Sequence, residues 1–70
     1  MMREPVASSN IVSVGYDAPS ETLEVEFQSG TVYQYYNISQ GTYDQFMGAP
    51  SKGQFFSVYI KNAYPYSRVG

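Results

Sequence analysis

The chain has 70 residues, eight of them tyrosine and none histidine, cysteine or tryptophan. It therefore has room for one small domain and lacks the side chains of most zinc sites, thiol nucleophiles and neutral-pH general bases. The formal net charge of −2 is divided unevenly: residues 1–44 set Arg3 against Glu4, Asp17, Glu21, Glu24, Glu26 and Asp44, whereas residues 45–70 carry Lys52, Lys61 and Arg68 and no acid.

A domain of this size buries only about 60% of the surface its unfolded chain exposes, so the aromatic side chains have to supply much of the core in place of disulfides or metal. No stretch approaches the roughly 18 apolar residues of a membrane helix, and Met1-Met2-Arg3-Glu4-Pro5 leads into no apolar run of the secretory kind. The expectation is a single cytoplasmic domain over residues 1–70, with residues 1–8 poorly ordered and with neither metal nor cofactor.

Ile11-Val12-Ser13-Val14-Gly15-Tyr16 is β-branched and partly alternating, and it stops at the turn formers Asp17-Ala18-Pro19-Ser20. Thr22–Phe27 alternates strictly, with Leu23, Val25 and Phe27 on one face and Thr22, Glu24 and Glu26 on the other, which predicts a half-buried strand. Gln28-Ser29-Gly30-Thr31 turns the chain into Val32-Tyr33-Gln34-Tyr35-Tyr36, a third strand of β-favouring side chains. After Asn37 the period becomes helical: Ser39 can cap, Tyr43, Phe46 and Met47 share a face, and Gly48 with Pro50 ends the helix. Ser51-Lys52-Gly53-Gln54 has the form of a capping box for a second helix, in which Phe55, Phe56, Tyr59, Ile60 and Ala63 make one apolar face and Pro65 forbids continuation. The predicted fold is α+β: a three-stranded antiparallel meander, then two short helices packed on one sheet face, then an extended tail or short fourth strand at Tyr66–Val69.

Hairpin register decides where Tyr33 and Tyr35 point, because a shift of one residue sends every side chain to the opposite face. A two-residue Ser29-Gly30 turn pairs Phe27 with Val32 and sets both tyrosines beside Glu24 and Glu26. A three-residue loop pairs Val25 with Tyr33 and Leu23 with Tyr35, placing the rings on the core face, and suits Gly30 better because its last position needs positive φ. On that register Tyr33 and Tyr35 are structural; the competing reading makes Tyr33 and Tyr35, or Tyr36 on the opposite face, a base-stacking platform of the kind used by single-strand RNA binders.

Little in the chain points to catalysis. Glu24 and Glu26 read as a solvated strand face that guards against edge pairing, not as a catalytic pair. Ser51-Lys52-Gly53 offers free N–H groups and a close approach for an anion, although a glycine that admits helix-on-sheet packing beside a solvated lysine accounts for it more simply. Tyr64-Pro65-Tyr66 between Lys61 and Arg68 interleaves rings with positive charge, which suits single-stranded nucleic acid or an acidic peptide; pinning of the tail to the core is the simpler account. The candidate ligand-binding residues are accordingly Lys52, Gly53, Lys61, Tyr64, Tyr66 and Arg68.

Taken in order and spacing, Ser8-Ser9-Asn10-Ile11, Val14-Gly15-Tyr16-Asp17, the strand through Phe27, Gly30, Tyr33-x-Tyr35, Ser51-Lys52-Gly53 with Phe55-Phe56, Ile60 and Tyr64-Pro65-Tyr66 resemble the KTSC domain family. This small module occurs alone in bacterial proteins and at the C-terminus of some lysyl-tRNA synthetases. The resemblance covers nearly the whole chain and implies a non-catalytic module with RNA, tRNA included, as the first partner to test. The alternative is a protein-interaction domain that recognises an acidic or aromatic segment. Asn62-Ala63 and Ser67 stand where similar domains often carry basic residues, and Ser57 where asparagine is usual.

Overall fold

The computed structural model describes all 70 residues as one five-stranded antiparallel sheet with its helices on one side. The strands are β1 (Glu4–Pro5), β2 (Ile11–Asp17), β3 (Thr22–Phe27), β4 (Val32–Tyr35) and β5 (Tyr66–Arg68), neighbours in the order of the chain. Two helical segments, α1 (Gln40–Gly48) and α2 (Lys52–Phe55), separate β4 from β5, and α2 runs on into a π-helical turn, Phe56–Ile60.

The predicted meander is present as β2–β4, and its register is the one that the three-residue loop demands. Leu23 lies opposite Tyr35 and Val25 opposite Tyr33. The Phe27 N–H donates to the Thr31 carbonyl and the Gly30 N–H to the Phe27 carbonyl, both at 2.9 Å, with Gly30 at φ +91°. In β2 the pairing slips between Ile11 and Ser13, a bulge at Val12 that explains the imperfect alternation. Ile11 and Val14 can therefore both face the core while Ser13 faces the other way.

The sheet has five strands, not the expected three: of the two readings of the tail the short strand holds, and an unexpected strand precedes the meander. The tail at Tyr66 pairs with β4, setting Tyr66 opposite Tyr35 and Arg68 opposite Tyr33. Glu4 and Pro5, within the segment expected to lack order, pair with Val14 and Ser13. Proline is tolerated there because β1 is an edge strand and the missing N–H breaks no inner ladder.

Both helices begin at the expected serines. Ser39 accepts from the Thr42 N–H at 3.2 Å and Ser51 from the Gln54 N–H at 3.3 Å. The second helix departs from expectation after Phe55, where the Lys61 N–H donates to the Phe56 carbonyl in the widened i→i+5 pattern. That widening changes the phase of the side chains. Of the five residues predicted for one apolar face, Phe56 and Ile60 are buried and Phe55 is half-buried, whereas Tyr59 and Ala63 are exposed.

The core lies between sheet and helices and consists of Ile11, Val14, Leu23, Val25, Tyr35, Ile38, Phe46, Phe56 and Ile60. The sheet's other face is not the solvated one that the Glu24/Glu26 pattern suggests. Glu24 is buried, at 7% exposure, because residues 1–3 cross that face. A Cβ at Gly15 would lie 2.6 Å from the Met2 carbonyl oxygen, so glycine is what admits the crossing segment. Arg3 then pairs with Glu24 and Glu26 and donates from Nε to Ser13 Oγ at 3.0 Å. Gln34 Nε2 donates to the second Glu24 oxygen at 2.9 Å.

Candidate functional site

The register that buries Tyr35 also decides what shares its face. Residues directly opposite one another in an antiparallel pair project to the same side, so Tyr66 stands beside Tyr35 and Arg68 beside Tyr33 on the helix-facing side. Glu24 and Glu26, opposite Gln34 and Val32, face away. Across from the tyrosines, the π-helical turn brings in Phe56 and Ser57, and Lys61 and Asn62 follow.

Between sheet and turn is a cleft of about 380 Å³ lined by Asn10, Phe27, Tyr33, Tyr35, Phe56, Ser57, Lys61, Asn62 and Tyr66. Its rings are in mutual contact: Tyr35 meets Phe56 edge to face at 5.2 Å between centroids, Tyr35 and Tyr66 are 5.6 Å apart, and Tyr33 and Tyr66 are 6.0 Å apart. Phe27 contacts both Tyr33 and Phe56 edge to face. Lys61 is the one charged residue in the lining, which contains no carboxylate. Burial pushes the Tyr35 hydroxyl above the ordinary tyrosine pKa, with the neighbouring Tyr33 and Tyr66 hydroxyls adding to the effect. At neutral pH the Tyr35 hydroxyl therefore keeps its proton and offers a donor as well as an acceptor.

Of the residues nominated from sequence, the cleft brings together Lys61 and Tyr66, and adds Tyr33 and Tyr35. Arg68 lies at its border, where its Nε donates to the Gly70 carbonyl at 2.9 Å. Tyr64 is elsewhere, in a hollow with Thr42, Gln45, Phe55 and Tyr59. Lys52 opens α2, half-buried and outside the cleft, and the protein's ion pairs all belong to Arg3. Gly53 faces Asn10, whose Oδ1 would be 2.4 Å from an added Cβ. This contact accounts for a glycine in the first helical turn, and it sets the helix start against a residue of the cleft. Sequence reasoning did not nominate Phe27, Phe56, Asn10, Ser57 or Asn62. The three-residue hairpin was a usable signal for Phe27, but nothing local announces that the tail will lie down beside β4. No group of three or more acidic, histidine or cysteine side chains is placed to hold a metal ion.

The KTSC domain family profile matches residues 7–64. The chain belongs to the KTSC domain family. The crystal structure of a KTSC domain protein from Yersinia pestis superposes with a TM-score of 0.95 at 39% identity, over 99% of this chain and 97% of that one. A lysine–tRNA ligase of Trichormus variabilis is 37% identical over 54 residues, which are 77% of this KTSC domain and 10% of the ligase. An uncharacterised protein of Stutzerimonas stutzeri is 36% identical over 70 residues and matches along 99% of both chains. The domain thus spans about a tenth of the length of the ligases it matches and nearly all of other relatives.

Proposed function

We propose that this KTSC domain is a non-catalytic cytoplasmic binding module and that its ligand is single-stranded RNA, held at the cleft of Tyr33, Tyr35, Tyr66 and Lys61. The observation that carries the reading is the separation of charge across the sheet. Aromatic rings and a lysine line one side, while Glu24 and Glu26 lie on the other. A phosphate approaching the tyrosines meets no carboxylate in the cleft wall, and base–aromatic stacking contributes about 1–3 kcal/mol per base in single-strand binders. The similarity to part of two lysine–tRNA ligases supports an RNA partner. The test is a titration of the protein with a single-stranded oligoribonucleotide at several salt concentrations, followed by amide NMR. Binding should move signals of Tyr35, Lys61 and Tyr66 and weaken with salt, with a log–log slope of about −0.7 per phosphate neutralised. Lys61→Glu should weaken it about tenfold or more, as expected for loss of a charge-assisted contact. Absence of any RNA-dependent shift refutes the reading.

A protein-contact reading is favoured by a different surface. Val58 and Tyr59 are 63% and 60% exposed on the outer side of the π-helical turn, beside a hollow that includes Pro50 and Phe55. Binding there would depend little on salt.

A further inference from the structure

Tyr35 combines two properties that normally exclude each other. Only 4% of the residue is exposed, yet its hydroxyl has no hydrogen-bond partner within the protein, although buried tyrosine hydroxyls usually find one. No side-chain polar atom of the protein is both buried and unpaired, so this hydroxyl must reach open space, and the space Tyr35 borders is the cleft. Tyr16 is the contrast: half-buried in the same cross-strand row, two strands away, it donates to the Ile38 carbonyl.

The rest of the cleft limits what could use that hydroxyl. Phe27, Tyr33, Phe56 and Tyr66 line it with rings, on which a planar heterocycle would be at home, whereas a phosphate would need the lining's one cation. The single cation, Lys61, is exposed, as are Asn10, Ser57 and Asn62. Charge therefore belongs at the mouth and a ring in the interior. Only one lining ring is open to a base from solvent: Tyr35 is covered, Tyr33 is half-buried, and Tyr66 alone among the cleft tyrosines is more than half exposed, at 59%. The volume of about 380 Å³ lies at the low end of the range for small-molecule sites, about 300–1,000 Å³.

We infer that the cleft accepts one unstacked nucleobase, whose polar edge hydrogen-bonds the Tyr35 hydroxyl and whose face lies against Tyr66, with its phosphate at Lys61. The inference rests on the RNA reading and narrows it. The recognised unit is a single nucleotide, at the end of a single strand or unstacked within it, and not a run of stacked bases along an open sheet. Tyr35 is then the specificity-determining residue and Tyr66 the stacking residue.

The experiment titrates the protein with AMP, CMP, GMP, UMP and inorganic phosphate, and with a single-stranded and a fully paired RNA, following amide and tyrosine ring signals by NMR. At least one mononucleotide should move the Tyr35, Phe56 and Tyr66 signals, while inorganic phosphate moves at most Lys61 and the fully paired RNA leaves the rings unmoved. Tyr35→Phe keeps the ring and its packing but removes the hydroxyl, and should weaken nucleotide binding about tenfold at unchanged urea midpoint. Tyr66→Ala, at an exposed position, should weaken it by a similar factor and keeps the test usable if Tyr35→Phe fails to fold. If single-stranded RNA binds but every mononucleotide leaves the cleft signals in place, or if the Tyr35→Phe protein binds as tightly as the parent, the single-base inference is overturned and the RNA reading stands. If neither RNA nor nucleotide perturbs the protein, both fall.

Discussion

Glu24 is a carboxylate whose role is reversed by what covers it. Burial alone would raise its pKa, but hydrogen bonds from Gln34 and Arg3, with the charge of Arg3 behind them, outweigh burial and hold it below the ordinary glutamate value. A depressed folded-state pKa means that the stabilisation is complete above the unfolded value, about 4.3, and is lost as pH falls through the folded one. Glu24→Gln should therefore cost about 1.5–3 kcal/mol at pH 7, the scale of hydrogen bonds to a charged group. The gap to the parent should shrink as the pH is taken from 5 towards 2, where the parent's carboxylate is itself protonated. Urea midpoints at pH 7 and pH 3 check both halves, and a gap that is the same at the two values would refute the ion-pair account. On the same strand Thr22, also buried, accepts from the Ser20 hydroxyl at 3.0 Å, so the polar face of β3 is satisfied internally along its length.

Among the elements, the N-terminal segment depends most on one residue far from it in sequence. Gly15 leaves room for the Met2 carbonyl, and Gly15→Ala would drive a Cβ to 2.6 Å from that backbone oxygen and to 3.1 Å from Arg3 Cγ. A backbone atom cannot swing aside as a side-chain tip can, so the segment must lift and take Arg3 away from Glu24. Overpacking of this kind costs about 1–3 kcal/mol, and the alanine variant should lose the pH dependence described for Glu24 along with that stability, as parallel urea titrations would show. Gly53→Ala offers a contrast. The obstructing atom there is the movable Asn10 amide, so the perturbation should appear at the cleft rim more than in stability. This division also explains what the sequence makes legible. The β2–β4 meander, its Gly30 loop, both serine caps and the stop at Gly48 are written in residues a few positions apart. The pairing of β5 with β4 is not, because Arg68 meets Tyr33 from 35 positions away; β1 meets Ser13 only eight residues on, but its two residues, Glu4 and Pro5, carry no strand signal. The cleft inherits that difficulty: Tyr33 and Tyr35 were assigned to the core face correctly, but their meeting with Tyr66 and Lys61 depends on the return of the tail. The π-helical turn was illegible for another reason, since its apolar spacing satisfies an α-helix equally well.

For the whole molecule, β5 covers the edge of β4 and, through Tyr66, supplies one wall of the cleft. The Tyr36 N–H donates to the Pro65 carbonyl at 2.9 Å and the Val69 N–H to the Val32 carbonyl at 2.8 Å, so the tail is tied to β4 at both ends. Removing residues 65–70 would uncover β4, whose Val32-Tyr33-Gln34-Tyr35 run is rich in β-formers and carries no charge, leaving an open edge of the kind that pairs with other chains. A domain of this size has a total stability of about 4–10 kcal/mol, so loss of one short strand and of the Tyr66 ring is a large fraction of it. The chain ending at Tyr64 should unfold at a markedly lower urea concentration than the parent and should self-associate in light-scattering measurements at concentrations where the parent does not. Tyr66→Ala in the full chain separates the two roles of the strand. It keeps the backbone ladder over the β4 edge, so it should remain unassociated while losing the cleft's exposed ring. If the truncated chain stayed dispersed and as stable as the parent, β5 would be an ornament of the sheet, and the cleft would have to hold its shape without it.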